Sequence, residues 1–348
     1  MPTEKLLKLA RLNRIISQEE IEGVAFGELE LSMATFQDVV FNALTFSKTQ
    51  FQQCTFLSCT FIDCQFVDCH FDTCTWHATT LQNSQFDNCT LIGSSFASCA
   101  QQNVTFEKSK AQRVALTQGE IKSFTFKNGK WLDSAFMQVQ SESVLFAGSE
   151  MNNFVLNESD FEQVNIENCK VQRGLFLKCS FKDKDWNNLS WQACSFNESQ
   201  FSNCVITEAQ WQTNNFIAAS FEKCQFNHCN LQQALFLKAK FNQVVFNTCQ
   251  LTETIFNESN GQHTRFEHAN ADKSLWQDSE WLTSTWLDCK LAFSDWSRAQ
   301  INGSTVKNCD FTAANWHKLA EDNTLWKKNN KKMLRKTDEL QAKSEAEA

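Results

Sequence analysis

The chain has 348 residues, 32 Lys and Arg against 40 Asp and Glu, a formal net charge of −8, a single proline and no tyrosine. No run of about 18 apolar residues is available to span a bilayer, and Leu6, Leu7, Leu9 and Leu12 are interleaved with Lys5, Lys8, Arg11 and Arg14, unlike a secretory leader. The acidic balance disfavours direct binding of nucleic acid by the body of the chain, and the localisation reads as cytoplasmic.

In chain order, Thr3 to about Ser17 reads as an amphipathic helix, with Leu6, Leu9, Leu12, Ile15 and Ile16 apolar and Thr3 placed as N-cap. Residues 1–20 are therefore expected to form an N-terminal capping helix. From Ile21 to Trp326 a large apolar residue then recurs at every fifth position without a change of phase. Of the 62 positions in this frame, 29 are Phe, 11 Trp and 16 Leu, Ile, Val or Met. Gln101, Ala111, Ser141, Gly261, Ala271 and Glu321 interrupt it. A second register, two residues earlier, holds all 16 cysteines, from Cys54 to Cys309, and is shared with Ser, Ala, Thr and Val. Such a chain is one structural unit copied many times.

A period of five fits neither the 3.6 of a helix nor the alternation of a strand. In Cys54-Thr55-Phe56 the small and the large residue point the same way, as along a very short strand. The next two residues must turn the chain so that Cys59-Thr60-Phe61 points inward again. Repeated turning gives a coil, and coils stacked about 4.8 Å apart bury a column of rings. Phe124, Phe154, Lys184, Leu189 and Asn214 break the small-residue rule, so local bulging is expected near them. Gln101 marks either an amide ladder between coils or a local defect. After Trp316 the pattern decays into Leu319, Leu325 and Trp326, which read as a second lid. Lys327, Lys328, Lys331, Lys332, Arg335 and Lys336 then fall within ten residues, followed by an acidic, Ala-rich stretch. This basic segment reads as a solvated or frayed helix rather than a contact for nucleic acid or an anionic membrane.

The blocks resemble those of pentapeptide repeat proteins, whose motif is a small residue, a polar one, Leu or Phe, then two variable ones. Here it reads Cys/Ser/Ala, Thr/Ser/Gln/Asn, then mostly Phe, over roughly residues 21–316. The resemblance implies an all-β fold, a right-handed quadrilateral parallel β-helix of about 15 coils with twenty residues each. The organisation expected is a capping helix over 1–20, the repeat β-helix over 21–316, and a cap with a short helical basic and acidic tail over 317–348.

Little in the chain suggests catalysis, a metal or a cofactor, and none is expected. Zinc sites need ligands two to four residues apart that converge, whereas five-residue spacing puts successive thiols on different faces. Thiols twenty apart, such as Cys54 and Cys74 or Cys204 and Cys224, stack with parallel side chains, which disfavours a disulfide. They read as small buried groups in a reducing compartment. The six histidines (His70, His77, His228, His263, His268 and His317) show no ligand or triad spacing.

Residues 1–20 carry +1 and 317–348 carry +2, so the body carries −11. At twenty residues per coil, one face stands apart from the rest. It is centred on Phe56, Trp76, Phe96, Leu116 and Phe136, and between Cys54 and Gln138 its five segments hold no Asp, Glu, Lys or Arg. Its outward slots include Leu57, Met137, Leu177, Ile217 and Leu237, with Leu175, Leu235, Ile255 and Leu275 beside the core positions. A charge-poor apolar face points to a protein partner.

Two functions follow as expectations. The first is a non-enzymatic, rod-shaped scaffold or adaptor that docks proteins on this face; a resemblance to pentapeptide repeat proteins of bacterial type VI secretion clusters implies a secretion accessory. The alternative is a DNA mimic, since Qnr-type members of the family are acidic, bind DNA gyrase and protect it from quinolones. Against it, no face is consistently acidic, the frame has no loop, and the segment after the repeats is basic. The identity of a partner and the formation of a homodimer stay open at this level.

Overall fold

A computed structural model describes residues 15–157 and 164–347. The chain divides into two compact units, Met1–Leu175 and Phe176–Ala348.

In the first unit, three-residue strands pair in parallel with strands twenty residues further on. Ile15–Ser17 lies against Thr35–Gln37, Thr55–Leu57 against Thr75–His77, and Thr60–Ile62 against Thr80–Gln82. Four such ladders form the four walls of a square coil. Within each strand the middle residue is buried, as for Phe56, Phe61, Phe66 and Phe71. The rings stack on the ring one coil away, with centroids 4.3 Å apart for Phe41–Phe61 and 4.7 Å for Phe51–Phe71. They meet the next wall edge-on, as Phe36 meets Phe41 at 5.5 Å. Both arrangements are favoured by the ring quadrupole.

The turn between walls has a requirement that the hydrophobic frame does not show. The second residue after nearly every described core residue is left-handed, from Gln18 (φ 54°) through Asp63 (φ 53°) and Asn83 (φ 50°) to Asn323 (φ 56°), with Ser123 and Ser143 as exceptions. Its N–H then donates to the carbonyl one residue past the core position in the next coil, as Asp63 N does to Gln82 O at 3.0 Å. Left-handed backbone is costly for most residues and least so for Gly, Asn and Asp. Accordingly, Val, Ile and Leu are absent from the left-handed positions, and Asn and Asp are frequent.

The small corner slot does chemical work as well as steric work. Most thiols there lie within reach of two carbonyls that share the single S–H: Cys54 Sγ is 3.3 Å from Leu31 O and 3.7 Å from Gln52 O. Ser adds an acceptor, since Ser94 Oγ takes the N–H of Cys74 at 3.2 Å and Ser109 Oγ that of Cys89 at 3.0 Å. These bonds satisfy backbone groups that the short ladders leave over at the corners. Asn214, expected to disturb its coil, fills this role instead: its Oδ1 accepts from Cys194 N at 2.9 Å and its Nδ2 donates to Trp191 O at 3.1 Å. Phe124 does distort its surroundings. It lies in a lengthened strand, Phe124–Lys127, and joins the core against Trp131 and Phe136. Phe154, Leu189 and Lys184 are also buried, and burial lowers the Lys184 pKa. Gln101 makes no amide ladder, because its column neighbours are Leu81 and Ile121.

The expected N-terminal helix falls mostly on residues 1–14, outside the described residues. Its final turn is corrected: Ile15–Ser17 is a strand with Ile16 buried. Ile16 is in phase with the repeat, so the coil already includes the block before Ile21.

In the second unit two walls remain strand ladders, one through Ser180–Lys182 and Gln200–Ser202, the other through Asp185–Asn187 and Val205–Thr207. The other two shrink to single parallel bridges, such as Leu235↔Ile255 and Asn230↔Gln250. Gly261 has a specific cause here. A Cβ at this position would lie 2.0 Å from Trp281 Cε3, and the Trp281 ring stacks past it on Phe241, centroids 5.5 Å apart. One indole therefore fills two levels of the column.

The segment after Trp316 is a second correction. The basic run is neither helix nor loose tail but the last coil: Leu325–Lys327 pairs with Thr305–Lys307, Asn330 bridges Asp310, and Arg335 bridges Asn315. The core slots turn polar at this level. Lys331 Nζ sits 3.9 Å from the Trp326 ring centroid and 4.5 Å from that of Trp316, closing the column with an amphipathic side chain. A helix, α1 (Glu339–Glu347), follows. Asp338 caps it through Oδ1 to Leu340 N at 3.0 Å.

Candidate interaction surface

The outward residues of the charge-poor wall come from the two slots flanking each buried ring. In the first unit Leu57 and Met137 lie on one ladder, but His77, Ala97 and Thr117 separate them. Leu57 is half-buried, and Met137 is 38 % exposed. These two residues therefore do not form a single patch.

The second unit is different. The bridges Asn215↔Leu235, Leu235↔Ile255 and Ile255↔Leu275 put three branched apolar side chains in consecutive coils. Ile217 and Leu237 run beside them, joined by Ala218 N to Leu237 O at 2.9 Å. All five are half-buried. Leu177 belongs to the same wall but is set apart from Ile217 by Asn197. The sequence-level site is thus brought together at Ile217 and Leu237, and left scattered at Leu57, Met137 and Leu177.

Beyond Leu275 the wall becomes polar and occupied. Asp295 Oδ1 accepts from Ser297 Oγ at 2.5 Å, and Asn315 Nδ2 donates to Ser297 Oγ at 2.8 Å. Helix α1 lies against this part: Glu345 Oε2 is 3.2 Å from His317 Nε2 and 2.6 Å from Lys318 Nζ. His317 is buried beneath it. At an adjoining corner Phe293 is 60 % exposed at φ 60°. Phe293 was not singled out from the sequence. The available signal was that only three Phe lie off the core frame, and the other two, Phe124 and Phe154, fall in the corner slot.

Charges elsewhere are arranged in ladders. Partners twenty residues apart pair on the walls, as Lys130–Glu150 at 2.9 Å, and along the corners, as Lys238–Glu258 at 3.4 Å and Arg298–Asp278 at 2.6 Å. Glu150 is held below the usual carboxylate range by its hydrogen bond to Lys130, and Arg298 is raised by its bond to Asp278. Among the described residues no three His, Cys, Asp or Glu gather as a metal site would need, and no helix is long and apolar enough to cross a membrane. The thiols are buried and form no disulfide among the described residues. Burial pushes Cys59, Cys64 and Cys99 up to about 11 and Cys179 up to about 12, so they are poor nucleophiles and ligands.

Comparison with solved structures returns low-identity likenesses. HetL, a pentapeptide repeat protein involved in heterocyst differentiation regulation from the cyanobacterium Nostoc sp. strain PCC 7120, is 10 % identical over 80 % of this chain and 94 % of its own, with a TM-score of 0.21. QnrB1, a plasmid-mediated fluoroquinolone resistance protein, is 12 % identical over 51 % of this chain and 95 % of its own, with a TM-score of 0.22. The surface protein and adhesin PfbA of Streptococcus pneumoniae is 8 % identical over 96 % of both chains, with a TM-score of 0.29. No curated protein matches the sequence. Family models are decisive: a pentapeptide repeat region matches residues 79–156 and 219–295, and a model of eight pentapeptide repeats matches 194–233. Together they cover just over half of the chain, in the same five-residue frame that builds the coils. The chain belongs to the pentapeptide repeat protein family.

Proposed function

We propose that this protein is a non-enzymatic scaffold whose coils present a rigid apolar strip to a protein partner. The observation that carries the reading is the run Leu235, Ile255, Leu275 in consecutive coils, widened by Ile217 and Leu237. Contiguous apolar surface on an otherwise polar wall marks an interaction site, and a backbone fixed by inter-coil hydrogen bonds pays little ordering entropy on binding. An accessory role in a contractile secretion assembly is one use such a scaffold could serve, and co-purification with sheath or baseplate components would test it.

A photo-crosslinker placed at Ile217 should trap a partner that one placed at Asn247, on another wall, does not. Ile217→Asp together with Leu237→Asp should release that partner without changing the melting curve. Retention by the double variant would refute the strip, and Leu57→Asp with Met137→Asp tests the first unit separately. The DNA-mimic reading keeps the support of the body's −11, but Lys and Arg are interspersed with Glu and Asp along the coils, so no face is consistently acidic. A gyrase supercoiling assay with a quinolone present distinguishes the two readings, because a mimic must change the enzyme's activity and a scaffold need not.

A further inference from the structure

The last coil of the second unit differs from every wall below it. Lys327 and Lys328 stand on one side, Lys332 on the next, and Arg335 and Lys336 on the third, all exposed. Their backbone is held by the pairing of Lys307 with Lys327 and by the bridges of Asn330 to Asp310 and Arg335 to Asn315. The cations are therefore fixed at one axial level around the rim. On the same coil Leu325 is 59 % and Met333 73 % exposed, and Trp326 is half-buried at the end of the column. The acidic helix α1 leaves this end free, because Glu345 is drawn back onto His317 and Lys318.

We propose that this end of the solenoid docks end-on against a bilayer surface carrying anionic phospholipid. Basic side chains interleaved with exposed Leu, Met and Trp match the interfacial layer, where cations meet lipid phosphates and apolar groups enter the acyl boundary. Geometry selects the end-on pose. A flat partner facing the end reaches cations on three sides at once, whereas a partner lying along one wall reaches two at most. The acidic body, at −11, is kept off the membrane by the same field that draws in the end, and at physiological salt the two act separately beyond about 8 Å. A nucleic acid would use the cations but leave Leu325 and Met333 in water. The remaining side of the coil bears Glu321 and Asp322, so the docked end tilts toward its basic sides.

The test is co-sedimentation of the full chain with vesicles of phosphatidylcholine alone and with vesicles containing one part phosphatidylserine to three. Binding to the mixed vesicles only, weakening as salt rises, is expected. Each cation neutralised at Lys327, Lys328 or Lys332 should weaken binding about fivefold, the factor equivalent to ~1 kcal/mol per basic residue near such a surface. Leu325→Ser with Met333→Ser should weaken binding further at high salt, where the apolar contribution remains. Lys331 is left unchanged because it closes the core. Equal binding to both vesicles, no binding to either, or tighter binding to duplex DNA than to the mixed vesicles in the same buffer overturns the proposal, and each is read on the unmodified protein.

Discussion

Gly261→Ala should destabilise the second unit, although Ala suits a strand better than Gly. Relief of glycine's backbone entropy would favour the variant by about 0.5–1 kcal/mol. The added Cβ, however, would sit 2.0 Å from Trp281 Cε3 and 2.3 Å from Cζ3, where carbon pairs need about 3.5–4.0 Å. Trp281 is fully buried, and its Nε1 is held by Ser279 Oγ at 3.0 Å. The ring can retreat only by leaving Phe241, losing an aromatic contact of about 0.5–1.5 kcal/mol, and by straining a packed core at about 1–3 kcal/mol. The net expectation is a loss of about 1–3 kcal/mol, read by urea unfolding followed through tryptophan fluorescence. A compensating change should rescue it: Gly261→Phe with Trp281→Phe rebuilds a regular column of Phe241, Phe and Phe. The double variant should be more stable than either single one, with a coupling of about 1–3 kcal/mol. Additive effects, or a Gly261→Ala change within about 0.5 kcal/mol of zero, would show that Trp281 does not depend on the gap.

Two further outcomes follow from the corner slots. Trp276, Trp281 and Trp296 each donate their indole N–H to a serine two residues earlier, at 2.6, 3.0 and 2.8 Å. Trp316 follows Ala314 across the same kind of turn, and its Nε1 has no partner. Ala314→Ser should therefore stabilise the last coils by about 0.5–1.5 kcal/mol, visible as a higher urea midpoint; an unchanged or lower midpoint refutes the pairing. The thiols give a pH dependence. Burial raises Cys59 from 9.0 to about 11, so the unfolded chain loses its proton first. Stability should hold below pH 9.0 and fall as pH rises toward about 11, with Cys59→Ser flattening the fall. Iodoacetamide labelling at neutral pH should be slow until the coil is unfolded, and fast labelling of the native protein counts against burial as the cause.

The fold was legible because the five-residue frame is set by the strongest term, burial of large rings, and 29 Phe and 11 Trp share that one register in the sequence. Requirements carried by hydrogen bonds and backbone dihedrals were harder to read. The left-handed corner is marked in the sequence only by what it lacks, namely Val, Ile and Leu, and by enrichment in Asn and Asp. The corner slot read as small, which suits Cys54 and Ala34, yet Asn214 succeeds there because it makes the two backbone bonds that a smaller apolar residue cannot. The basic segment misled for a related reason. Lys331 occupies a core slot, which a hydrophobicity pattern counts as the end of the repeat, while its methylenes and ammonium close the column over two indoles. The interaction strip was half legible: Ile217 and Leu237 share a patch, but Leu57 and Met137 were grouped by wall alone, without asking which side chains stand between them. A solenoid makes that question decisive. Its neighbours lie twenty residues apart, so a stripe is continuous only if successive coils keep it, and His77, Ala97 and Thr117 do not.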